Sequence, residues 1–244
     1  MKYSPRHSAL IAAVAIASAA QASAAQQIVT YGSAEAGGAG SSLFLLGASM
    51  SSGRVGWSPV VSVLGYHLTF PSGPGTTSSN NVFAPSAGLS YQTTVGATQA
   101  HIGYAFVGNS TATPTTVGGF PFPASSKNGV FTTLQGDYWG TGERSAQFIG
   151  SWNFANQFLW SRVRAAQRVG GVDSPVMLGG EAGYLGGGDN GAKTWGFFAG
   201  PTVTFRATPD LHFTAAAGYR ANTTGTSVGT GYAKLDFVYI LPKM

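Results

Sequence analysis

Arg162, Arg164 and Arg168 fall on one parity, with Trp160 two residues upstream of the first. In an extended chain, side chains two residues apart point to the same face. The four residues therefore form one basic and aromatic track. Two chemistries follow. Guanidinium groups beside an indole would bind an anionic or sugar ligand, the ring serving as a stacking surface. Alternatively, the arginines belong to an interior ion network. Glu181 on the next predicted strand and Asp137 or Asp236 across the interior would then pair with them, and Arg220 would add a further cation. The second chemistry asks less, because small closed sheets fill their interiors with side chains and buried charges need partners.

Other reactive constellations are scarce. An enzyme needs a nucleophile with a base, or paired carboxylates, held on rigid elements. His67, His101 and His212 lie on separate predicted strands without ligand spacing, so no metal centre, catalytic residue or cofactor is expected. The GGGDNG segment at 186–191 occurs once and reads as a turn rather than a calcium repeat. Cysteine is absent, which excludes thiol catalysis and Cys-ligated metal. There is no basic run for a nucleic-acid partner.

The elements that must position these residues show in an alternation of period two. Trp195, Phe197, Ala199, Pro201, Val203 and Phe205 interleave with polar or small residues, as do Leu211, Phe213, Ala215, Ala217, Tyr219 and Ala221. Each run covers about ten residues or more, the length of a tilted strand crossing a bilayer. Only 9% of the 244 residues are charged, and 36 are glycine. No apolar run is long enough for a spanning helix. This points to an all-β fold, a transmembrane antiparallel up-and-down β-barrel in the outer membrane of a Gram-negative bacterium. Outer-membrane lipid is its expected surrounding partner.

Residues 1–24 read as a signal peptide, with a basic Lys2/Arg6/His7 region, an apolar stretch from Ala9 to Ala17 and a small-x-small site at Ala22-Ser23-Ala24. Without Lys2 and Arg6, the 13 basic residues fall to 11, against 8 acidic ones. Residues 25–244 are expected to form a single barrel domain. Twelve strands are predicted: 27–35, 42–51, 57–69, 83–93, 98–108, 130–139, 145–154, 157–169, 175–185, 194–206, 211–222 and 229–241, with ten as the alternative count. Segments 94–97, 140–144, 170–174 and 207–210 read as short turns. Segments 70–82, 109–129, 186–193 and 223–228 read as outside loops, and Phe120 and Phe122 could fold one of them over the mouth. Segment 153–157 is nearly a tight hairpin. Strand 57–69 has no cleanly polar face.

Parity places Leu89, Tyr91, Ile102, Tyr104, Phe148, Phe197, Tyr219 and Leu235 outward. It places His101, Gln135, Asp137, Gln147, Trp160, Arg162, Arg164, Arg168, Glu181, Arg220, Lys234 and Asp236 inward. A lipid-facing Arg or Lys near the midplane would cost about 2–4 kcal/mol, so this distribution orients the whole sheet.

The stretch LGGEAGYLGGGDNGAKTWGFFAGP at 178–201, followed by TVTFRATPDLHFTAAAGYRAN at 202–222, resembles the alphaproteobacterial cellulose biosynthesis protein BcsS family. Segment 31–50 resembles the amino-terminal portion of that family, and Glu181, Gly196, Gly200 and Pro209 are the matching positions. The resemblance implies an outer-membrane accessory of cellulose or exopolysaccharide biosynthesis or export, with polysaccharide or secretion components as partners and no catalytic residues. A small-molecule diffusion pore is the alternative function. A lipid-modifying enzyme of the outer membrane is a second alternative.

Overall fold

A computed structural model describes residues 27–37, 42–52, 54–73, 76–109, 113–114, 128–140, 142–155, 157–171, 173–187, 194–224 and 226–241. The predicted signal segment, Phe120 and Phe122 lie outside them. The described residues form β1 (Gln27–Gly37), β2 (Ser42–Ser51), β3 (Gly56–Gly73), β4 (Thr76–Gln92), β5 (Gly96–Asn109) and a two-residue β6 (Thr113–Pro114). There follow β7 (Gly129–Tyr138), β8 (Arg144–Asn153), β9 (Phe158–Arg168) and β10 (Val176–Gly187). The last three are β11 (Thr194–Thr208), β12 (Leu211–Thr224) and β13 (Thr226–Leu241).

Each strand pairs antiparallel with its neighbour, β1 pairs with β13, and the β3–β4 pairing completes the circle. The result is a closed twelve-stranded barrel, with β6 a short addition to β4. Closure leaves no unpaired edge inside the ring, the condition for placing strands in hydrocarbon. At the seam, Ile28 pairs with Leu241 and Glu35 with Lys234.

The strand positions follow the alternation, with one informative difference. Segment 70–82, expected as a loop, is mostly strand: β3 and β4 stay paired out to Pro71↔Thr77 and Gly73↔Thr76. Likewise 223–228 is a hairpin tip paired to Thr224↔Thr226. Both are rich in Thr and Ser, and the first also holds Asn80 and Asn81. Such residues lack an apolar face, yet their backbone still satisfies its hydrogen bonds by pairing. A hydrophobic alternation marks only strand that borders lipid. The barrel is thus asymmetric through extended hairpin arms as much as through loops. The arms stand at the end opposite the first residue of β1 and the last of β13.

Two turns show why particular residues close hairpins. Gly170 and Gly171 have φ of 87° and 96°, a region open to glycine. The tight β8–β9 connection begins after the pair Asn153↔Phe158. Asn153 accepts the Ala155 N–H at 2.9 Å, and Gln157 adopts φ 52°.

The outer face is apolar. Trp57 is 72% exposed, and Ile102, Phe197, Tyr219 and Leu235 are also exposed. In water this surface would be a severe aggregation hazard, whereas in lipid it is the expected band. Outward aromatics cluster at two depths. Trp57 and Tyr91 lie 5.0 Å apart at the end of the short turns. Tyr104–Phe106 (4.9 Å), Trp152–Phe154 (6.5 Å) and Tyr184–Phe197 (5.3 Å) lie toward the other end. Amphipathic rings favour both interfaces.

The inner face holds the buried polar groups, among them Ser58, Ser90, His101, Glu181, Thr202, Lys234 and Asp236. Several rings lie over a cross-strand glycine. A Cβ at Gly183 would collide with the Phe198 ring, and Gly183 pairs directly with Phe198. Gly103 with Phe131 repeats the arrangement, and Gly32 with Phe237 does so on the outer face. The glycine lets a large ring lie flat on the sheet.

Candidate functional site: the lumen network

Strand β9 carries the arginine track and has β8 and β10 as neighbours. Register sets Arg164 opposite Glu181 on β10 and Gln147 on β8, and Arg162 opposite Ile149. Arg164 donates to Glu181 Oε2 through Nε (3.2 Å) and Nη2 (2.7 Å). Its Nη2 also reaches Asp236 Oδ2 on β13 at 2.5 Å. Arg162 Nη1 donates to the same Asp236 oxygen at 3.2 Å, and its Nη2 donates to Gln147 Oε1 at 2.6 Å. In the ring order, β9 and β13 are separated by three strands, so these bonds cross the lumen as a chord.

Glu181 is the hub, with a side chain 0% exposed. Besides Arg164 it accepts Lys234 Nζ at 2.5 Å and the Tyr232 hydroxyl at 3.1 Å, both from β13. Asp236 accepts a further bond from Ser33 Oγ at 2.6 Å. Arg220 on β12 pairs with Glu35 on β1. Its guanidinium lies 5.8 Å from the Phe198 ring centre and 5.7 Å from that of Tyr232. Lys234 lies near the same two rings, at 5.8 and 5.9 Å. Aromatic faces and carboxylates together replace the water these cations have lost.

The predicted site residues thus divide. Arg162, Arg164, Glu181, Arg220 and Asp236 lie in one ion-paired layer. Trp160 borders it, with its ring 5.8 Å from the Arg162 guanidinium. It packs against the apolar cluster of Leu185, Phe198, Ala216 and Tyr232. Asp137 joins indirectly: Gln147 Nε2 donates to it at 2.8 Å and Gln135 Nε2 at 2.6 Å, and Gln147 also accepts from Arg162. Arg168 is the exception to the track. It donates to Gly142 O at 2.9 Å and Ser174 O at 3.0 Å, tying two turns at the barrel rim. Parity placed it on the correct face but carries no depth. Four residues beyond Arg164, an extended strand has risen about 13 Å. Glu35, Ser33 and Tyr232 were missed. Their signal was parity on the weak first strand for Ser33 and Glu35, and shared parity with Lys234 and Asp236 for Tyr232.

The facing wall differs. β3, β4 and β5 stand opposite β10, β11 and β12 in the ring order. Ser62 Oγ lies 2.6 Å from Ser86 Oγ and 3.4 Å from His101 Nδ1, and His101 Nε2 lies 3.1 Å from Gln99 Oε1. Ser58 and Ser90 pair across β3 and β4 and are buried. None of the described residues of β2–β5 takes part in an ion pair of the network. The other two described histidines stand apart: His67 Nδ1 is 2.8 Å from Asn81 Oδ1, and His212 Nε2 is 3.2 Å from Pro209 O. Among the described residues no group of His, Asp and Glu could hold a metal ion.

No protein-family model matches the sequence, and no curated protein matches it. Solved structures do. The COG4313 outer membrane channel from Pseudomonas putida F1 aligns with a TM-score of 0.55 at 10% identity, covering 88% of this chain and 95% of that one. The fold is that of an outer-membrane β-barrel. The KdgM porin in complex with disordered oligogalacturonate aligns at 0.48 and 10% identity, covering 88% and 99%. The translocator domain of the autotransporter NalP from Neisseria meningitidis aligns at 0.48 and 11%, covering 95% and 99%. With the apolar outer band and the two aromatic levels, the architecture places this barrel in the outer membrane.

Proposed function

We propose that the protein is a narrow channel for small solutes. The observation that carries this reading is the one-sidedness of the network. Long charged side chains from β9, β10, β12, β13 and β1 knit together, joined by Gln147 of β8. The β3–β5 wall keeps short serines and its own hydrogen bonds. A passage between the two walls would be bounded by charge on one side and by hydroxyls on the other. A barrel built only to be solid would spread its bulky groups around the circumference, as small filled barrels do. The test is permeation: proteoliposomes holding the full chain should admit arabinose faster than protein-free vesicles. A barrel that passes neither arabinose nor ions in planar bilayers refutes the channel.

A role in cellulose or exopolysaccharide export is a second reading. It rests on the resemblance of 178–222 to the BcsS family, including Glu181, the residue at the hub. Deleting the gene should lower cellulose output and weaken pellicle formation. Unchanged output would remove this role and leave the channel reading standing.

A further inference from the structure

We infer that the passage favours uncharged, hydroxyl-bearing solutes over ions of either sign, an inference that rests on the channel reading above. The first support is charge balance. Inward of the short-turn rim, where Arg168 and Arg206 stand on the same parity, the described inward-facing strand residues with formal charge are the cations Arg162, Arg164, Arg220 and Lys234 and the carboxylates Glu35, Asp137, Glu181 and Asp236. The fourfold sets cancel. Each cation touches a carboxylate, and Asp137 is linked to Arg162 through Gln147.

An ion entering a narrow passage loses hydration, and the protein must replace it. Channels do so with a ring of one sign or with aimed carbonyl dipoles. A layer of cancelling pairs does neither: its formal charges offset one another and most of its donors and acceptors bond within it, Arg162 Nε and Arg220 Nε being buried exceptions. The uncompensated desolvation of an ion is several kcal/mol. A neutral solute avoids that cost.

The second support is the opposite wall. Ser62, Ser86, His101 and Gln99 are hydrogen-bonding groups without a fixed charge at neutral pH. A hydroxyl both donates and accepts, so a solute carrying hydroxyl groups can exchange bonds with this wall in either sense. Beyond these groups the inner faces carry two packed apolar clusters, Val82 and Phe131 with Tyr66 and Val107 on one side, and Leu185, Phe198 and Tyr232 with Trp160 on the other, which add no charge to the passage.

The experiment compares three probes in proteoliposomes, arabinose, gluconate and glucosamine, which are neutral, anionic and cationic, with the neutral six-carbon sugar glucose as the size control that must also outrun both ions. Arabinose should enter at least about fivefold faster than either ion, as a lumen without a charged filter predicts. In planar bilayers under a KCl gradient the reversal potential should stay near zero. Glu181→Gln unbalances the layer toward positive charge and should raise gluconate entry relative to arabinose by about threefold. Asp137→Asn, which breaks no direct ion pair, makes the same prediction if the first variant does not fold. Gluconate or glucosamine entering as fast as arabinose overturns the inference and leaves the channel intact. A gluconate ratio that does not move in either variant also overturns it. No entry of any probe overturns the channel itself, and the inference falls with it.

Discussion

Replacing Glu181 with Gln tests whether the lumen layer is an electrostatic unit. The carboxylate is fully enclosed and receives Arg164, Lys234 and Tyr232. Arg164 has a second acceptor in Asp236 at 2.5 Å, so it keeps a counter-ion after the change. Lys234 keeps only the more distant charge of Asp236: its side chain is 4% exposed, and its contact ion pair is with Glu181. The loss therefore falls on one buried ammonium. Removing one partner of such a pair costs about 3–5 kcal/mol, because the remaining charge is stranded rather than because the pair was worth that much. The rings of Phe198 and Tyr232 beside Lys234 return part of this, about 1–2 kcal/mol. A net loss of about 1–4 kcal/mol is expected in reversible urea unfolding from detergent or lipid vesicles. Adding Lys234→Met removes the stranded charge, so the double variant should be more stable than Glu181→Gln alone. If Glu181→Gln costs under about 1 kcal/mol, or if the double variant loses the sum of the two single losses, the two residues are not coupled and the reasoning fails.

Three further outcomes follow from the barrel wall. Gly183→Val should destabilise by about 1–3 kcal/mol in the same unfolding assay, since the added atoms meet the Phe198 ring and the Ser161 carbonyl. Gly180→Ala, whose nearest new neighbour is the Gly200 carbonyl oxygen at 3.6 Å, should be nearly neutral. Arg168→Ala removes two charge-assisted bonds to turn carbonyls and should cost about 1.5–3 kcal/mol, with faster proteolysis at 139–143 or 169–175. Leu235→Arg sits mid-strand on the lipid face and should cost about 2–4 kcal/mol. Tyr138→Arg at the rim should cost about 0–1 kcal/mol, and equal losses at the two sites would contradict the membrane depth assigned here.

Faces were easier to read in the sequence than limits or depth. Phe197, Val203, Phe213, Tyr219 and Leu235 follow strict parity because each misplacement would put an apolar group inside or a polar group in lipid. The arms of β3 and β4 escaped because Ser, Thr and Asn pair there without bordering hydrocarbon. Strand 57–69 looked ambiguous for a structural reason: its inner face mixes Ser58, Val60 and Ser62, lining the uncharged wall. Within the site, Arg164 could be matched to Glu181 from hairpin rhythm alone, since their strands are adjacent, whereas Arg162 bonds Asp236 and Gln147 instead. Which carboxylate lies across the lumen depends on closure and stagger, which no local pattern encodes. Arg168 shows the same gap along the strand axis.

The contacts of β1 with the far end of the chain bear on how the barrel is assembled. Ser33 and Asp236 are 203 positions apart in the chain, and Arg220 and Glu35 are 185 apart. The joint between β1 and β13 forms only when the two ends of a long polymer meet, a step with a large entropic toll. Many alignments of two strands could satisfy backbone hydrogen bonding at that moment. Sliding β1 by one residue would turn Glu35 and Ser33 into hydrocarbon and leave Arg220 and Asp236 facing small apolar groups. The polar residues beneath the joint therefore act as a combination lock: the cylinder shuts in one alignment, and every neighbouring one is penalised.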